Sequence, residues 1–310
     1  MGCGRCRGET QLRHIEALVM AKASANHHTV PQGILRNFCY SKDKFYYYSK
    51  ERPSEGVCSR DIEKKFFRRH YYSIKTSAGV RSDIFEQEFL QKIDSQFAAF
   101  IQELIRNLDL GAFPKWNPDT GDFARQFIYY YQKRSPDFYD TLDPEGTVNH
   151  VISEAYRNPN LSMVPGRDDF FQRFEEDAQY RSDLTEFARV NAQSRESPIV
   201  MAKLCNMSLV VAKAEPRSQF IVGSHPVVRL GAGLSRELGD GVVELWTPIS
   251  PRYCLGVFGA SRDEEHLVIE LDQRRVKRLN NAVYRQSRQV GSASERLLKS
   301  IVFTKIQDFN

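Results

Sequence analysis

A short stretch near the start of the chain, NHHTVPQGILRNF, concentrates side chains that could do chemistry. A histidine can transfer a proton or bind a metal ion, and an arginine can hold an anion through its fork of donors. If Pro31 opens a short helix, Gln32 and Arg36 are four residues apart and share one face. His28 then lies just before the helix start, and His28 and Arg36 together could hold a phosphate or a carboxylate. The alternative is that the histidine packs and caps while Arg36 pairs with a carboxylate elsewhere in the fold.

Later segments place further polar side chains where sites are often built. FIVGSHPVV ends a predicted strand with Ser224 and His225, and Pro226 forces the residue before it to be extended. The alternative there is a tight turn that closes the sheet. Asn280 lies on the apolar side of the last predicted helix, where an asparagine is either a satisfied core amide or a site ligand. Arg134 stands at the C-terminal end of another predicted helix.

The elements that must position these side chains differ along the first half of the chain. KFYYYSK, from Lys44 to Lys50, has a strong strand preference and predicts one arm of a hairpin. The segment from Ser59 to Tyr72 is ambiguous between helix and loop. Apolar residues at spacings of three and four then predict three helices, which begin at the N-cap Asp83, run from Asn117 to a stop at Pro136, and run from about Asp168 to Arg195.

The second half has a different period. From Met207 onward, short β-rich runs separated by Gly, Pro and Ser are typical of a mostly antiparallel sheet, and a helix after Asp272 follows. The predicted class is therefore α+β, with an N-terminal helical layer followed by a mostly antiparallel sheet and a C-terminal helix. We expect residues 1–19 to form a flexible N-terminal extension and residues 20–310 to form a single α+β domain, because no clean boundary or internal repeat divides them.

Composition limits the partners. The 310 residues are 41% hydrophobic, which is enough for a sizeable core, and the net charge of +5 permits nucleic acid as a partner. The densest basic runs are KKFFRR and RRVKR, from Arg274 to Arg278, and such runs usually form a solvated face.

The scattered cysteines favour reduced thiols in the cytoplasm, and the single Cys3/Cys6 pair cannot complete a zinc site. Without a membrane span or a signal peptide, we expect a cytoplasmic protein with no membrane partner.

The motifs that would name a reaction are missing. The sequence contains no GxxxxGK[ST], no GxGxxG after a strand, no HExxH and no GxSxG. The common NTPases, dinucleotide enzymes, zincins and serine hydrolases are therefore not indicated.

Several segments together carry a resemblance to a family. HHTVPQGILRNF, YYQKRSP from Tyr130, FIVGSHPVV with the downstream ELWTPISP, and LNNAVYRQSRQVGS resemble the uncharacterised bacterial domain-of-unknown-function 4238 proteins from about residue 24 to residue 295. The family start, His-x-x-Pro-x-x-x-Leu-Arg-x-Phe, falls on His28, Pro31 and Arg36 here. The family pattern Ser-Asp-Asn-Pro becomes Gly-Ser-His-Pro in this chain, so that Ser224 replaces an acidic group. The resemblance implies site positions and no activity.

Two functional hypotheses follow from these residues. In the first, the protein is a nuclease or another nucleic-acid-modifying enzyme, for example a toxin or defence effector. In this enzyme a histidine is the general base or ligates a divalent metal ion. Its catalytic candidates are His28, His225 and Arg36, and its substrate-binding candidates are Gln32, Arg134, Ser224 and Asn280. In the second, the same groups form a buried polar network that fixes the fold, while the surface binds nucleic acid or a protein. The first is favoured because this set of residues contains no excess of carboxylates to neutralise its arginines.

Overall fold

The computed structural model describes residues 26–75, 81–83, 85–112, 114, 116–140, 144–157, 166–231, 237–259 and 267–307. Contacts within the chain divide it into two compact units. The first comprises the described residues up to His27 with those of 68–93 and 143–195, and the second comprises those of 28–67, 94–142 and 196–310. The extension predicted for residues 1–19 lies outside the described residues, and a single domain from residue 20 stays a prediction.

The strands are distributed over the whole length of the chain. They are β1 (Asn26–His28), β2 (Lys44–Ser49), β3 (Cys58–Asp61), β4 (Phe67–Arg69), β5 (Ile74–Lys75), β6 (Arg81–Ser82), β7 (Ser208–Ala214), β8 (Val222–Gly223), β9 (Val228–Leu230), β10 (Glu244–Pro248), β11 (Tyr253–Phe258), β12 (Leu267–Leu271) and β13 (Gln289–Ser292).

The α-helices lie mostly in the middle of the chain and at its end. They are α1 (Gln32–Leu35), α2 (Gln91–Asp109), α3 (Pro118–Lys133), α4 (Pro136–Tyr139), α5 (Pro144–Arg157), α6 (Arg167–Glu176), α7 (Ala178–Ser194), α8 (Pro198–Cys205), α9 (Gln273–Gln286) and α10 (Glu295–Gln307). Single turns of 3₁₀-helix at Arg36–Phe38, Pro53–Glu55 and Ile62–Lys64 and a π-turn at Glu86–Leu90 complete the helical elements.

Among the described residues, two sheets lie in the second unit. One has the order β12-β7-β11-β10-β9, in which only the β12–β7 pair is parallel. The other has the order β3-β2-β13-β8 and is antiparallel throughout. The prediction of a mixed α and β protein with mostly antiparallel sheets is confirmed, and so is the β2–β3 hairpin.

The predicted order of the layers is wrong, because strands come first. β2 and β3 precede the long helices and share a sheet with β13 from the C-terminal part of the chain. Local periodicity reports the type of a segment, whereas this pairing joins residues more than two hundred positions apart. The segment from Ser59 to Tyr72 also differs from its two predicted alternatives, since it contributes β3 and β4 around a 3₁₀ turn.

The core of the second unit joins its sheets to the last two helices. Val276, Leu279 and Val283 of α9 and Leu298 of α10 are buried in one apolar cluster. Val210 of β7 and Val290 of β13 belong to the same cluster. Helices α9 and α10 are therefore held in fixed positions by their apolar faces, and their polar faces are left to solvent.

Helix boundaries depend on local capping. Helix α3 begins at Asn117-Pro118 as predicted, and Asn117 caps it, since its side chain accepts a hydrogen bond from the Thr120 N–H at 2.8 Å. Pro136 does not simply end that helix, because it opens α4 after the N-cap Ser135. The long helix predicted from Asp168 is broken at Asp177, whose side chain caps α7. Pro136 in the first turn of α4 and Asp177 at the N-cap of α7 thus each start a new helix where the sequence predicted the end or the continuation of another.

Asp83 does not cap the helix that follows it. In the first unit, its carboxylate accepts a hydrogen bond from the Ser73 hydroxyl at 2.5 Å and lies 3.4 Å from His27 Nε2. His27 Nδ1 accepts from the Tyr72 N–H, so that Nε2 carries the proton that faces Asp83. The buried histidine and serine thus engage this carboxylate, and the regular α2 begins only after the π-turn.

The structure also bears on the predictions about membrane spans and about cysteines. None of the described helices has both the length and the apolar character needed to cross a membrane. Cys39, Cys58, Cys205 and Cys254 are free thiols, and Cys3 and Cys6 lie outside the described residues.

Candidate functional site

Three predicted site residues meet where α3 ends beside α1. The side-chain nitrogen of Gln32 lies 2.9 Å from Nε2 of the half-buried His28. Because an amide nitrogen only donates, Gln32 donates and the ring nitrogen accepts, which fixes the tautomer of His28. Arg134 donates from Nη2 to the backbone carbonyl of His28 at 2.8 Å. The stretch singled out from the sequence is therefore joined to the distant YYQKRSP segment.

Arg134 is an internal residue and has a carboxylate partner. Its side chain is 4% exposed, and its Nη1 forms an ion pair with Asp94 of α2. A buried guanidinium is stable only when its charge is compensated, and Asp94 compensates it. The position of Arg134 thus ties α2, α3 and His28 together, and its charge is already satisfied within the protein.

A second set of contacts surrounds Asp137, and we call Ser135, Asp137, Ser224 and Arg288 the Asp137 network. The Ser224 hydroxyl donates to the Asp137 carboxylate. The backbone N–H of Arg288 lies 3.1 Å from that carboxylate, and the N–H of Gln289 donates to the Ser224 hydroxyl at 3.0 Å. Ser135 donates to the Ser224 carbonyl at 2.8 Å. Residues from α4, from the end of β8 and from the start of β13 therefore converge on one carboxylate.

The local sequence explains why these segments can meet. Ser135 caps α4, which places Asp137 in the first turn of that helix. On the opposite side, β8 ends at Gly223, where a Cβ atom would lie only 2.1 Å from the Ser287 hydroxyl. Only a glycine allows this close approach of the strand to the end of α9.

Arg288 extends the network to a second carboxylate. Its Nη2 lies 2.6 Å from Asp140, and its Nε lies 3.6 Å from Asp137. On the other side of Asp137, the Ser224 hydroxyl is a donor to the same carboxylate. The network therefore contains one buried carboxylate with donors on several sides.

His225 follows Ser224 and is 6% exposed. Its N–H donates to the Ser287 hydroxyl at 3.1 Å, and its ring centroid lies 6.2 Å from that of Phe138. Burial lowers the pKa of His225, and the negative charge of Asp137 opposes this shift. The folded protein therefore favours the neutral form of this ring.

Asn280 serves a different part of the fold. Its side chain is buried, accepts a hydrogen bond from the Ile221 N–H at 3.1 Å and donates to the Gln219 carbonyl at 2.8 Å. It thereby fixes α9 to the chain segment that precedes β8. Of the two alternatives, a core amide with satisfied hydrogen bonds describes these contacts.

Arg36 is placed apart from the other predicted residues. Its guanidinium is 56% exposed and lies 3.3 Å from Asp43. Its pairing with an acid elsewhere in the fold is the alternative that the sequence left open. His28 and Arg36 are thus not brought together around one anion by the contacts of the described residues.

A cavity that the sequence did not indicate lies between α9, α10 and residues 217–219. Its volume is about 680 Å³. Arg217, Lys277 and Arg296 line it, and apolar side chains of α9 and α10 also contribute to its wall. Its polar lining residues also include Ser218, Gln219, Gln273, Asn280, Asn281, Ser294, Ser300 and Thr304. We call this space the basic cavity, because its lining includes three cationic residues and no acidic residue among those described.

Sequence reasoning missed this cavity for a clear reason. Lys277 belongs to the RRVKR run, and its spacing of four from Asn281 puts both on one helix face. Arg217 and Arg296 come from a loop and from another helix, so that no local pattern joins them to Lys277. The RRVKR run was visible in the sequence, but by itself such a run indicates only a solvated face.

The described residues contain no group of three or more His, Cys, Asp and Glu side chains that could hold a metal ion.

Comparison with known proteins places the chain in a family. Residues 26–294 match the family model described as "Protein of unknown function (DUF4238)". The chain belongs to the DUF4238 family. In this DUF4238 protein, the matched span contains every predicted site residue together with Arg217 and Lys277, whereas Arg296 follows it. The comparisons with curated proteins and with solved structures give no match.

The contacts of Asn280 predict a loss of stability on truncation. Asn280→Ala leaves the buried Ile221 N–H and the Gln219 carbonyl without this partner, so the free energy of unfolding should fall by about 1–3 kcal/mol. Urea denaturation followed by circular dichroism measures it. The neighbouring Asn281→Ala is the matched control and should change stability by less than about 0.5 kcal/mol. Equal effects of the two substitutions would contradict the role given to Asn280.

The pKa of His225 predicts a pH dependence of stability. Because the pKa in the folded state is lower than the ordinary value of 6.5, only the unfolded state binds the proton between these two values. This contribution to stability is present above pH 6.5 and is lost as the pH falls toward the lowered pKa. His225→Gln should therefore flatten the decrease of the melting temperature in this acidic range. The exposed His150→Gln is the control, and an unchanged pH profile of His225→Gln would refute the prediction.

Proposed function

We propose that this protein binds nucleic acid, with backbone phosphates held in the basic cavity. The observation that carries the proposal is that the three cations lining this cavity are exposed and have no carboxylate partner among the described residues. In the described part of the chain, Arg217, Lys277 and Arg296 form no ion pair with a carboxylate, and all three are exposed. An anion from outside the protein can therefore compensate their charge at little cost in desolvation.

The arginines of the predicted site are in the opposite state. Arg134 pairs with Asp94, and Arg36 pairs with Asp43. Arg288 of the Asp137 network, which was not among the predicted residues, pairs with Asp140. Carboxylates therefore do neutralise these arginines, and an external anion is not needed to compensate their charge. These ion pairs support the hypothesis of a binding protein whose buried polar groups fix the fold.

The surface around the basic cavity extends its positive charge. Arg274, Arg275 and Arg278 are exposed on α9 beside Lys277, and the whole chain carries a net charge of +5. Affinity for nucleic acid arises largely from cations that neutralise successive phosphates and release counterions. One basic cavity next to a basic helix face offers contacts to several phosphates of one strand.

A nucleic-acid-cleaving activity, as in a toxin or defence effector, is a second proposal. It is supported by His28, whose half-buried ring is oriented by Gln32 as a general base would need to be. Incubation with RNA and DNA, in the presence of magnesium or manganese and again with a chelator, decides it. Cleavage that is lost in His28→Ala would support the proposal, and the absence of cleavage under every condition would contradict it.

The binding proposal predicts a change in salt dependence. The combined variant R217Q/K277Q/R296Q should weaken binding of a labelled oligonucleotide, because three phosphate contacts lose their cations. Each lost contact should reduce the slope of log affinity against log salt concentration by about 0.7–0.9. Fluorescence anisotropy over a series of salt concentrations measures both quantities.

A matched variant controls for net charge. K42Q/K44Q/R69Q removes the same number of exposed positive charges at positions outside the basic cavity and should change the slope much less. Exposed substitutions of this kind have small effects on stability, which the melting temperatures of both variants verify. Equal slopes for the wild type and the cavity variant would overturn the proposal.

A further inference from the structure

An exposed aromatic side chain lies next to the basic cavity. Phe303 of α10 is 66% exposed and lines a second, more open cavity of about 490 Å³. Val57 and Val302 form the apolar part of this second cavity, and Arg296 and Ser300 line both cavities. Because most of its ring is exposed, Phe303 can be covered by a ligand without losing packing contacts within the protein.

The helix geometry aligns this ring with the cationic lining. Arg296, Ser300 and Phe303 are spaced by four and then three residues, which places them on one face of α10. At a rise of about 1.5 Å per residue, Phe303 lies about 10 Å along the helix axis from Arg296. A charged group, a hydroxyl and an aromatic ring therefore follow one another along a single line on the surface.

Charge complementarity decides the kind of ligand. The two cavities together are lined by Arg217, Lys277, Arg296 and Lys299, and only Lys299 has a carboxylate partner among the described residues, Glu295 at 2.7 Å. A ligand that fits must have negative charge at the basic cavity and a flat apolar face at Phe303. Nucleic acid has both, because its phosphates are charged and every base has a π-face.

Whether the nucleic acid is single-stranded or double-stranded follows from access to the π-face of a base. In a duplex, both faces of an internal base are covered by its neighbours, whereas a single strand can present a base for stacking on an aromatic side chain. The volume of the basic cavity is in the range of clefts that hold small ligands, which suits part of a flexible strand rather than a double helix. We propose that the nucleic acid is single-stranded and that one of its bases stacks on Phe303. This inference rests on the proposed function.

The test compares single-stranded and duplex oligonucleotides of the same sequence, as RNA and as DNA, by fluorescence anisotropy. Phe303→Ala should weaken binding of the single strand about 5- to 150-fold, the loss typical of one stacked base. It should leave duplex binding nearly unchanged. Phe303→Trp should retain single-strand binding, because the larger ring offers the same stacking surface.

Phe187→Ala is the matched control. Phe187 is 52% exposed on α7 and is not among the residues that line either cavity, so its removal should not change binding. Single-strand binding by Phe303→Ala that equals that of the wild type would overturn the inference, and so would a wild type that prefers duplex.

The charge variant of the basic cavity separates the two proposals. Binding that depends on Arg217, Lys277 and Arg296 but not on Phe303 overturns only the stacking inference. A wild type that binds neither form of nucleic acid overturns the proposed function and the inference together.

Discussion

The buried carboxylate of Asp137 is the constraint on which the arrangement of the second unit depends. It is the first-turn residue of a short helix, and the Ser224 hydroxyl and the Arg288 N–H both donate to it. A carboxylate that is only 8% exposed requires such donors, because an uncompensated charge in this environment costs several kcal/mol. The end of β8 and the start of β13 must therefore approach this helix, and Gly223 makes the approach sterically feasible.

The polar side chains of the interior differ from those of the candidate binding surface in whether they have partners within the protein. In the interior, Arg134 bonds to Asp94 and to the His28 carbonyl, and Asn280 bonds to two backbone groups. On the surface, the cations of the basic cavity have no carboxylate partner among the described residues. Arg134 and Asn280 therefore have partners within the protein. The exposed cations of the basic cavity leave their positive charge to be compensated by an anion from outside.

Local features of the sequence predicted local features of the structure. The aromatic strand from Lys44, the cap at Asn117 and the apolar side of the helix that carries Asn280 depend on neighbours within a few residues, and all three are found. These predictions succeeded because periodicity and capping are properties of short segments.

The remaining features depend on long-range pairing, which a single sequence does not encode visibly. The strand from Lys44 pairs with β13, the charge of Arg134 is neutralised by Asp94, and Asp83 is engaged by Ser73 instead of capping a helix. The basic cavity has the same origin, since a loop and two helices each supply one cation. Sequence alone could identify the polar residues, but not their partners, and the partners decide which residues are free to act.

Hydrogen–deuterium exchange with and without a single-stranded oligonucleotide reports on the basic cavity and on the Asp137 network in one experiment. If nucleic acid binds in the basic cavity, the oligonucleotide slows exchange in residues 217–219, 273–281 and 294–304. Exchange in residues 134–140 and 222–228 should not change. Protection confined to residues 134–140 and 222–228 would contradict binding in the basic cavity and would place the functional site at the Asp137 network.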